Sequence, residues 1–145
     1  MARVLVVDDD ALFCAMMRQD LLREGHRPLV VNSGAEALTL LRSGVRVDLV
    51  LTDIMMPEMD GIELIQAVSL ACPTLPIIAV SSGGKVHNPY VFTAARVLGA
   101  DCVFQKPVSA AVIGSTIYRL LSAKPALTIS NDDASDLASG APSMS

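Results

Sequence analysis

The chain has 145 residues, of which 52% are hydrophobic and 18% charged, with a net charge of -4. That length suits one domain, and the composition excludes a disordered chain. No apolar run approaches a membrane span, and the N-terminal run Val4–Val7 stops at Asp8, Asp9 and Asp10, which excludes a signal peptide. A cytoplasmic location is therefore expected, with no membrane partner. Aromatic residues are only 3% and no basic patch occurs, which argues against direct nucleic-acid binding. Cys14, Cys72 and Cys102 are odd in number and widely spaced, so neither a disulfide framework nor a zinc site is supported. They read as buried thiols.

Arg3 to Asp8 is a short apolar run ending in acids and predicts a fully buried strand. Ala11 to Glu24 carries Leu12, Ala15, Met16, Leu21 and Leu22 on one broad face before Gly25, which predicts a helix with a glycine stop. Pro28 to Val31 is a second strand. Ser33-Gly34-Ala35-Glu36 matches a capping box, so a second helix begins there and ends near Gly44. Asp48 to Asp53 is a third strand, again closed by an acid. Met56-Pro57 and Asp60-Gly61 mark a loop, then a helix runs through Ala71.

Pro76 to Ser81 is a fourth strand, and Ser82-Gly83-Gly84 opens a loop. The segment Ser82 to Pro89 reads as a surface loop, with His87 solvated; His26, beside Gly25, reads as a turn residue. Pro89 to Leu98 is a helix stopped by Gly99, Asp101 to Gln105 a fifth strand, and Ser109 caps a last helix running to about Ser122. The stretch Lys124 to Ser145 turns rich in Ser, Ala and Asp and reads as a flexible tail, which gives a domain over residues 1–123 and a tail over 124–145. Five strands alternating with five helices predict an α/β domain. It has a five-stranded parallel sheet, doubly wound, with helices on both faces.

This topology has a chemical consequence. Asp8, Asp9 and Asp53 close strands one and three, Ser81 closes strand four, and Lys106 follows strand five. A parallel sheet gathers all these strand ends on one edge, where such folds bind ligands. Three close carboxylates repel one another, and burying them needs an offsetting charge. A hard divalent cation with oxygen ligands supplies it, and Mg²⁺ is the natural candidate. Acids at strand ends also serve as helix caps, and Asp10 alone reads that way.

The motifs VLVVDDD, LTDIMMPEMDG, PIIAVSS, LGAD and QKP, in this order and spacing, resemble the receiver domain of bacterial two-component response regulators. The resemblance covers roughly Arg3 to Ser122 and implies a (βα)5 flavodoxin-like fold. It implies that Asp53 accepts a phosphoryl group, and that Asp8, Asp9 and the backbone carbonyl of Met55 hold Mg²⁺ with it. It implies that the Ser81 hydroxyl hydrogen-bonds a phosphoryl oxygen and that Lys106 pairs with the phosphoryl group. The Lys106–Pro107 bond is usually cis in this family. The usual donor is a histidine kinase or a histidine phosphotransfer protein, and small acyl phosphates often substitute. The output expected of a stand-alone receiver is contact with a downstream protein target, or phosphorelay.

Val103 stands where the family commonly has Tyr or Phe, and Phe104 follows one place later. A one-residue shift turns a strand side chain to the other face, so Phe104 reads as ordinary core. The last helix carries one charge, Arg119, between Ala110 and Ser122. Either it is buried by the sheet on one side only, or it forms a partner or homodimer surface with the Tyr90 to Ala95 helix and Tyr118.

Two other readings compete. Val4 to Leu12 also looks like the nucleophile motif of haloacid-dehalogenase-type phosphatases, with Asp8 as nucleophile and Asp10 as general acid/base. Against it, Ala11 stands where Thr or Val is expected, and no late acidic pair follows Lys106. The third reading is a scaffold that is never phosphorylated.

Overall fold

The computed structural model describes residues 1–56, 61–81 and 89–133. In chain order it holds β1 (Arg3–Val7), α1 (Ala11–Arg23), β2 (Arg27–Val31), α2 (Gly34–Arg42) and β3 (Leu49–Asp53). There follow α3 (Gly61–Ala71), β4 (Ile77–Ser81), α4 (Pro89–Leu98), β5 (Cys102–Gln105) and α5 (Ala110–Asp133). The strands form one parallel sheet in the order β2-β1-β3-β4-β5. The α/β doubly wound reading of the sequence is thus the architecture observed.

Alternation along each strand builds two cores. Leu5, Val7, Val50, Ile77, Ala79 and Val103 face α2, α3 and α4, meeting Ala37, Leu64, Ile65 and Ala95. Val4, Val6, Leu49, Leu51, Ile78 and Val80 face α1 and α5, meeting Cys14, Met17, Leu21, Ile113 and Ile117. Burial on both faces explains why these strands read as unbroken apolar runs. Each fully buried Leu, Ile or Val contributes about 1.5–3 kcal/mol relative to exposure. Val103 and Phe104 fall in opposite cores, with Phe104 partly buried on the α1/α5 side.

The helix starts follow the capping chemistry of the sequence. Asp10 caps α1, accepting from the amides of Leu12 (3.0 Å) and Phe13 (3.2 Å). Ser33 caps α2 through the Glu36 amide (3.1 Å), while Glu36 reaches back to the Asn32 amide (2.9 Å). Gly25 and Gly44 follow α1 and α2 at φ 84° and 88°, conformations that favour glycine at helix ends.

At the N-terminal edge of the sheet, two carboxylates complete the ladder. Asp48 accepts from the Arg3 amide and Asp101 from the Ile77 amide, each at 2.8 Å. His26 also acts there: its Nδ1 accepts from the Ala2 amide at 3.1 Å. The sequence reading made it a turn residue only.

Three expectations change. On α1 the buried residues are Cys14, Met17 and Leu21, while Leu12, Ala15, Met16 and Leu22 of the expected apolar face are exposed. The last helix was expected to end near Ser122, and α5 instead continues to Asp133. The helix runs through the change of composition at Lys124 and through Pro125, a residue type that disfavours a helix interior. Of the three cysteines only Cys14 is buried; Cys72 and Cys102 are partly exposed. Cys72 lies just past the end of α3 and Cys102 opens the edge strand β5, where cover is thinner. Both readings of α5 stand, since it buries Ile113 and Ile117 and exposes Val112 and Tyr118. The loop at residues 82–88 with His87, the loop residues 57–60 and the end of the tail at 134–145 lie outside the described residues. Among the described residues, no helix is long and apolar enough to cross a membrane.

Candidate functional site

Asp8 follows β1 directly and Asp53 is the last residue of β3. These strands pair with Val7 opposite Thr52, which brings the two acids to the same edge. Asp8, Asp9 and Asp53 each offer a carboxylate oxygen, all within 4.8 Å of one another. Asp8 and Asp53 are buried at 0% and 3% exposure, while Asp9 is exposed. The sequence-based convergence of these three residues is therefore realised in space.

Backbone and side-chain contacts hold the acids in place. Asp8 accepts from the Asp10 amide through Oδ1 (2.9 Å) and from the Lys106 ammonium through Oδ2 (2.7 Å). Asp53 accepts from the Met55 amide at 3.4 Å, so the Met55 backbone lies beside the carboxylate while its side chain is exposed. The Ile54 amide donates to the Val80 carbonyl at 2.8 Å, tying the end of β3 to β4. Ser81 is buried at the end of β4, and its carbonyl accepts from the Lys106 amide at 2.7 Å. Lys106 enters the site from the turn after β5, and its bond to Pro107 is cis.

Gly61 is needed by close approach. A Cβ there would fall inside van der Waals contact of the Asp53 carbonyl oxygen and the Ile54 Cα. Its amide donates to the Ile54 carbonyl at 2.8 Å, so the start of α3 is pinned against the end of β3.

Burial and the neighbouring Asp8 carboxylate push Asp53 up from 3.8 to about 6, against the pull of Lys106 and the Met55 amide. Burial likewise pushes the Cys14 thiol up to about 11, with Asp8 adding to the effect. Cys14 donates to the Asp8 carbonyl at 3.3 Å and is an unreactive part of the site floor. One charge from Lys106 does not offset three carboxylates.

The donor set suits a hard cation. It contains oxygen atoms only, crowded within 4.8 Å and partly buried, which matches Mg²⁺ rather than a metal favouring nitrogen or sulfur. When bound, such an ion would neutralise the acidic cluster.

Two neighbours of the site were missed in the sequence. Phe13 places its ring over the Lys106 ammonium, 4.0 Å from the centroid. Cys14 lies under Asp8. The signal for Phe13 was its place in the first turn of α1, directly after the acids, but nothing in the sequence joins it to Lys106.

Comparison with known proteins agrees with this geometry. The family model of the response regulator receiver domain matches residues 4–118. The chain is 34% identical over 107 residues to the transcriptional regulatory protein GlrR of Escherichia coli, covering 74% of this chain and 23% of that protein. It is 34% identical over 105 residues to the response regulator MprA of Mycolicibacterium vanbaalenii, covering 72% and 44%. The chain thus spans less than half the length of these curated relatives. The solved receiver domain of a signal transduction histidine kinase from Syntrophus aciditrophicus is similar at a TM-score of 0.76 and 30% identity, covering 85% of this chain and 92% of that one. A CheY-like receiver domain protein from Methanospirillum hungatei gives a TM-score of 0.79 at 26% identity, covering 86% and 97%. With the acidic edge, the sheet order and a family match over most of its length in agreement, the chain belongs to the response regulator receiver domains of two-component signal transduction.

Proposed function

We propose that the chain accepts a phosphoryl group on Asp53 from a histidine kinase or histidine phosphotransfer partner in the cytoplasm, with Mg²⁺. The observation that carries this reading is the buried Asp53 carboxylate, grouped with Asp8 and Asp9 and beside the Lys106–Asp8 pair. An Asp53 oxygen attacks phosphorus, a new P–O bond forms, and the P–N bond to the donor imidazole breaks. The imidazole leaves with its electron pair and takes a proton from solvent. With a small acyl phosphate, the bond broken is P–O and the carboxylate leaves.

Asp8, Asp9 and the Met55 carbonyl would hold Mg²⁺ with Asp53. Ser81 would donate its hydroxyl to a phosphoryl oxygen, and Lys106 would move from Asp8 to the phosphoryl group. Such sites act by positioning and charge stabilisation, which is what these residue types provide. Water would later cleave the acyl phosphate slowly. The signal would pass to a downstream protein by contact or by onward transfer, and a partner or second copy would use the last two helices, on which Tyr90, Val97 and Tyr118 are exposed. The phosphatase reading gains no support, because the Asp10 carboxylate is occupied in capping α1.

The test is intact-mass analysis after incubation with Mg²⁺ and acetyl phosphate, beside Asp53→Asn and Asp8→Asn. We expect one added phosphoryl group on the wild type, none on Asp53→Asn and much slower addition on Asp8→Asn. Phosphorylation that survives Asp53→Asn and vanishes in Asp8→Asn would sink the reading in favour of the phosphatase. No phosphorylation by acetyl phosphate or by a panel of histidine kinases would favour the scaffold.

A further inference from the structure

We infer that Phe13 is a positioning residue for Lys106, acting through the face of its ring on the ammonium group. The inference rests on the proposed phosphoryl acceptance at Asp53 and assigns that site a residue beyond the acids, the hydroxyl and the lysine.

The geometry is specific. The Lys106 Nζ lies 4.0 Å from the Phe13 ring centroid, inside the range where a cation is attracted by the ring quadrupole. The same nitrogen lies 2.7 Å from Asp8 Oδ2, and the Lys106 side chain is only 14% exposed. The ring is held from two sides. Its backbone amide donates to the Asp10 cap at 3.2 Å, and its side chain packs, partly buried, against the α1/α5 core. Lys106 is held by its amide on the Ser81 carbonyl. Ring and ammonium therefore meet because two separately anchored segments bring them together, 93 residues apart in the chain.

The chemistry explains why an aromatic ring suits this place. An aliphatic side chain would fill the space and give the ammonium nothing. A further carboxylate would attract it, and would also compete with the phosphoryl oxygens for its N–H donors. The ring attracts the charge without accepting a strong hydrogen bond. Lys106 can then exchange Asp8 for a phosphoryl oxygen while keeping the contact with the ring.

The test measures phosphorylation of the full chain by acetyl phosphate with Mg²⁺, across donor concentrations, for the wild type, Phe13→Leu and Phe13→Tyr. Leucine keeps the apolar bulk, and tyrosine keeps the aromatic face. We expect Phe13→Leu to lower the maximal rate by about 3- to 30-fold, with the half-saturating concentration unchanged and Phe13→Tyr close to wild type. Lys106 side-chain proton resonances should carry a ring-current shift in the wild type and Phe13→Tyr, lost in Phe13→Leu. In a Lys106→Met background, Phe13→Leu should cost nothing more, since a residue that acts through Lys106 is silent without it. Equal rates for Phe13→Leu and wild type would overturn the inference. So would equal slowing by leucine and tyrosine, or a full additional loss in the Lys106→Met background. A wild type that takes up no phosphoryl group on Asp53 would overturn the underlying reading and this inference with it, and that failure shows before any Phe13 variant is compared.

Discussion

The Lys106 ammonium lies 2.7 Å from the Asp8 carboxylate, although 98 residues separate them in the chain. Asp8 is fully buried, so this cation is its direct counter-charge in the absence of a metal. Removing one partner of a buried pair strands the other and typically costs several kcal/mol. Lys106→Met should therefore lower the stability of the metal-free protein by about 2–4 kcal/mol. Urea unfolding in a chelating buffer at pH 7 checks this, and saturating Mg²⁺ should narrow the gap. An unchanged midpoint would show that the pair contributes nothing net.

Asp53 gives stability a pH dependence of defined sign. Its carboxyl group sits higher in the folded chain, at about 6 against 3.8. The linked stability is fully present below 3.8 and is lost as pH rises through about 6. Metal-free wild type should therefore melt below Asp53→Asn at pH 7, by roughly 2–8 °C, with the gap closing towards pH 4. Mg²⁺ should raise the wild-type midpoint more than that of Asp53→Asn, since a ligand stabilises only the form that binds it. A gap of constant size across that pH range would contradict the assignment.

Gly61 should tolerate no side chain. The Cβ of Gly61→Ala would press on backbone, the Asp53 carbonyl and Ile54 Cα, so relief requires moving the end of β3. We expect a loss of about 2 kcal/mol or more, with weaker Mg²⁺ binding as Asp53 shifts. Urea unfolding and calorimetric titration with Mg²⁺ measure the two effects. An alanine variant with wild-type Mg²⁺ affinity would separate Gly61 from the site.

His26 carries the opposite sign. Burial, with help from the N-terminal amine, lowers it below 6.5, and its neutral ring accepts from the Ala2 amide. This contribution is present above 6.5 and is lost as pH falls through the lowered folded value. It should amount to about 1 kcal/mol or less, in line with one neutral hydrogen bond. Melting curves of His26→Ala in an Asp53→Asn background isolate it, because the two titrations otherwise oppose each other. Parallel curves with and without His26 would argue against any role for the bond.

Most of the fold is legible in the sequence because each strand is a short apolar run closed by a polar residue. Burial on both faces leaves no other place for Val4-Leu5-Val6-Val7 or Ile77-Ile78-Ala79-Val80. Once the strands are parallel, Asp8, Asp9, Asp53, Ser81 and Lys106 must share an edge. What stayed hidden depends on side-chain direction across long sequence distances. Phe13 meets Lys106, and His26 meets Ala2, through tertiary packing that no local pattern records. The end of α5 was misplaced for a different reason. Composition changes at Lys124 and Pro125 disfavours a helix interior, so no local signal extends the helix to Asp133.

The carboxylates at the two edges of the sheet lead different lives. Asp48 and Asp101 are spent on the amides that begin β1 and β4, while Asp8, Asp9 and Asp53 crowd together at the far ends of β1 and β3. One edge anchors the register and the other carries the electrostatic conflict. The bonds from Asp48 and Asp101 that begin β1 and β4 thus lie a full strand length from the crowded acids, out of reach of a substitution made among them.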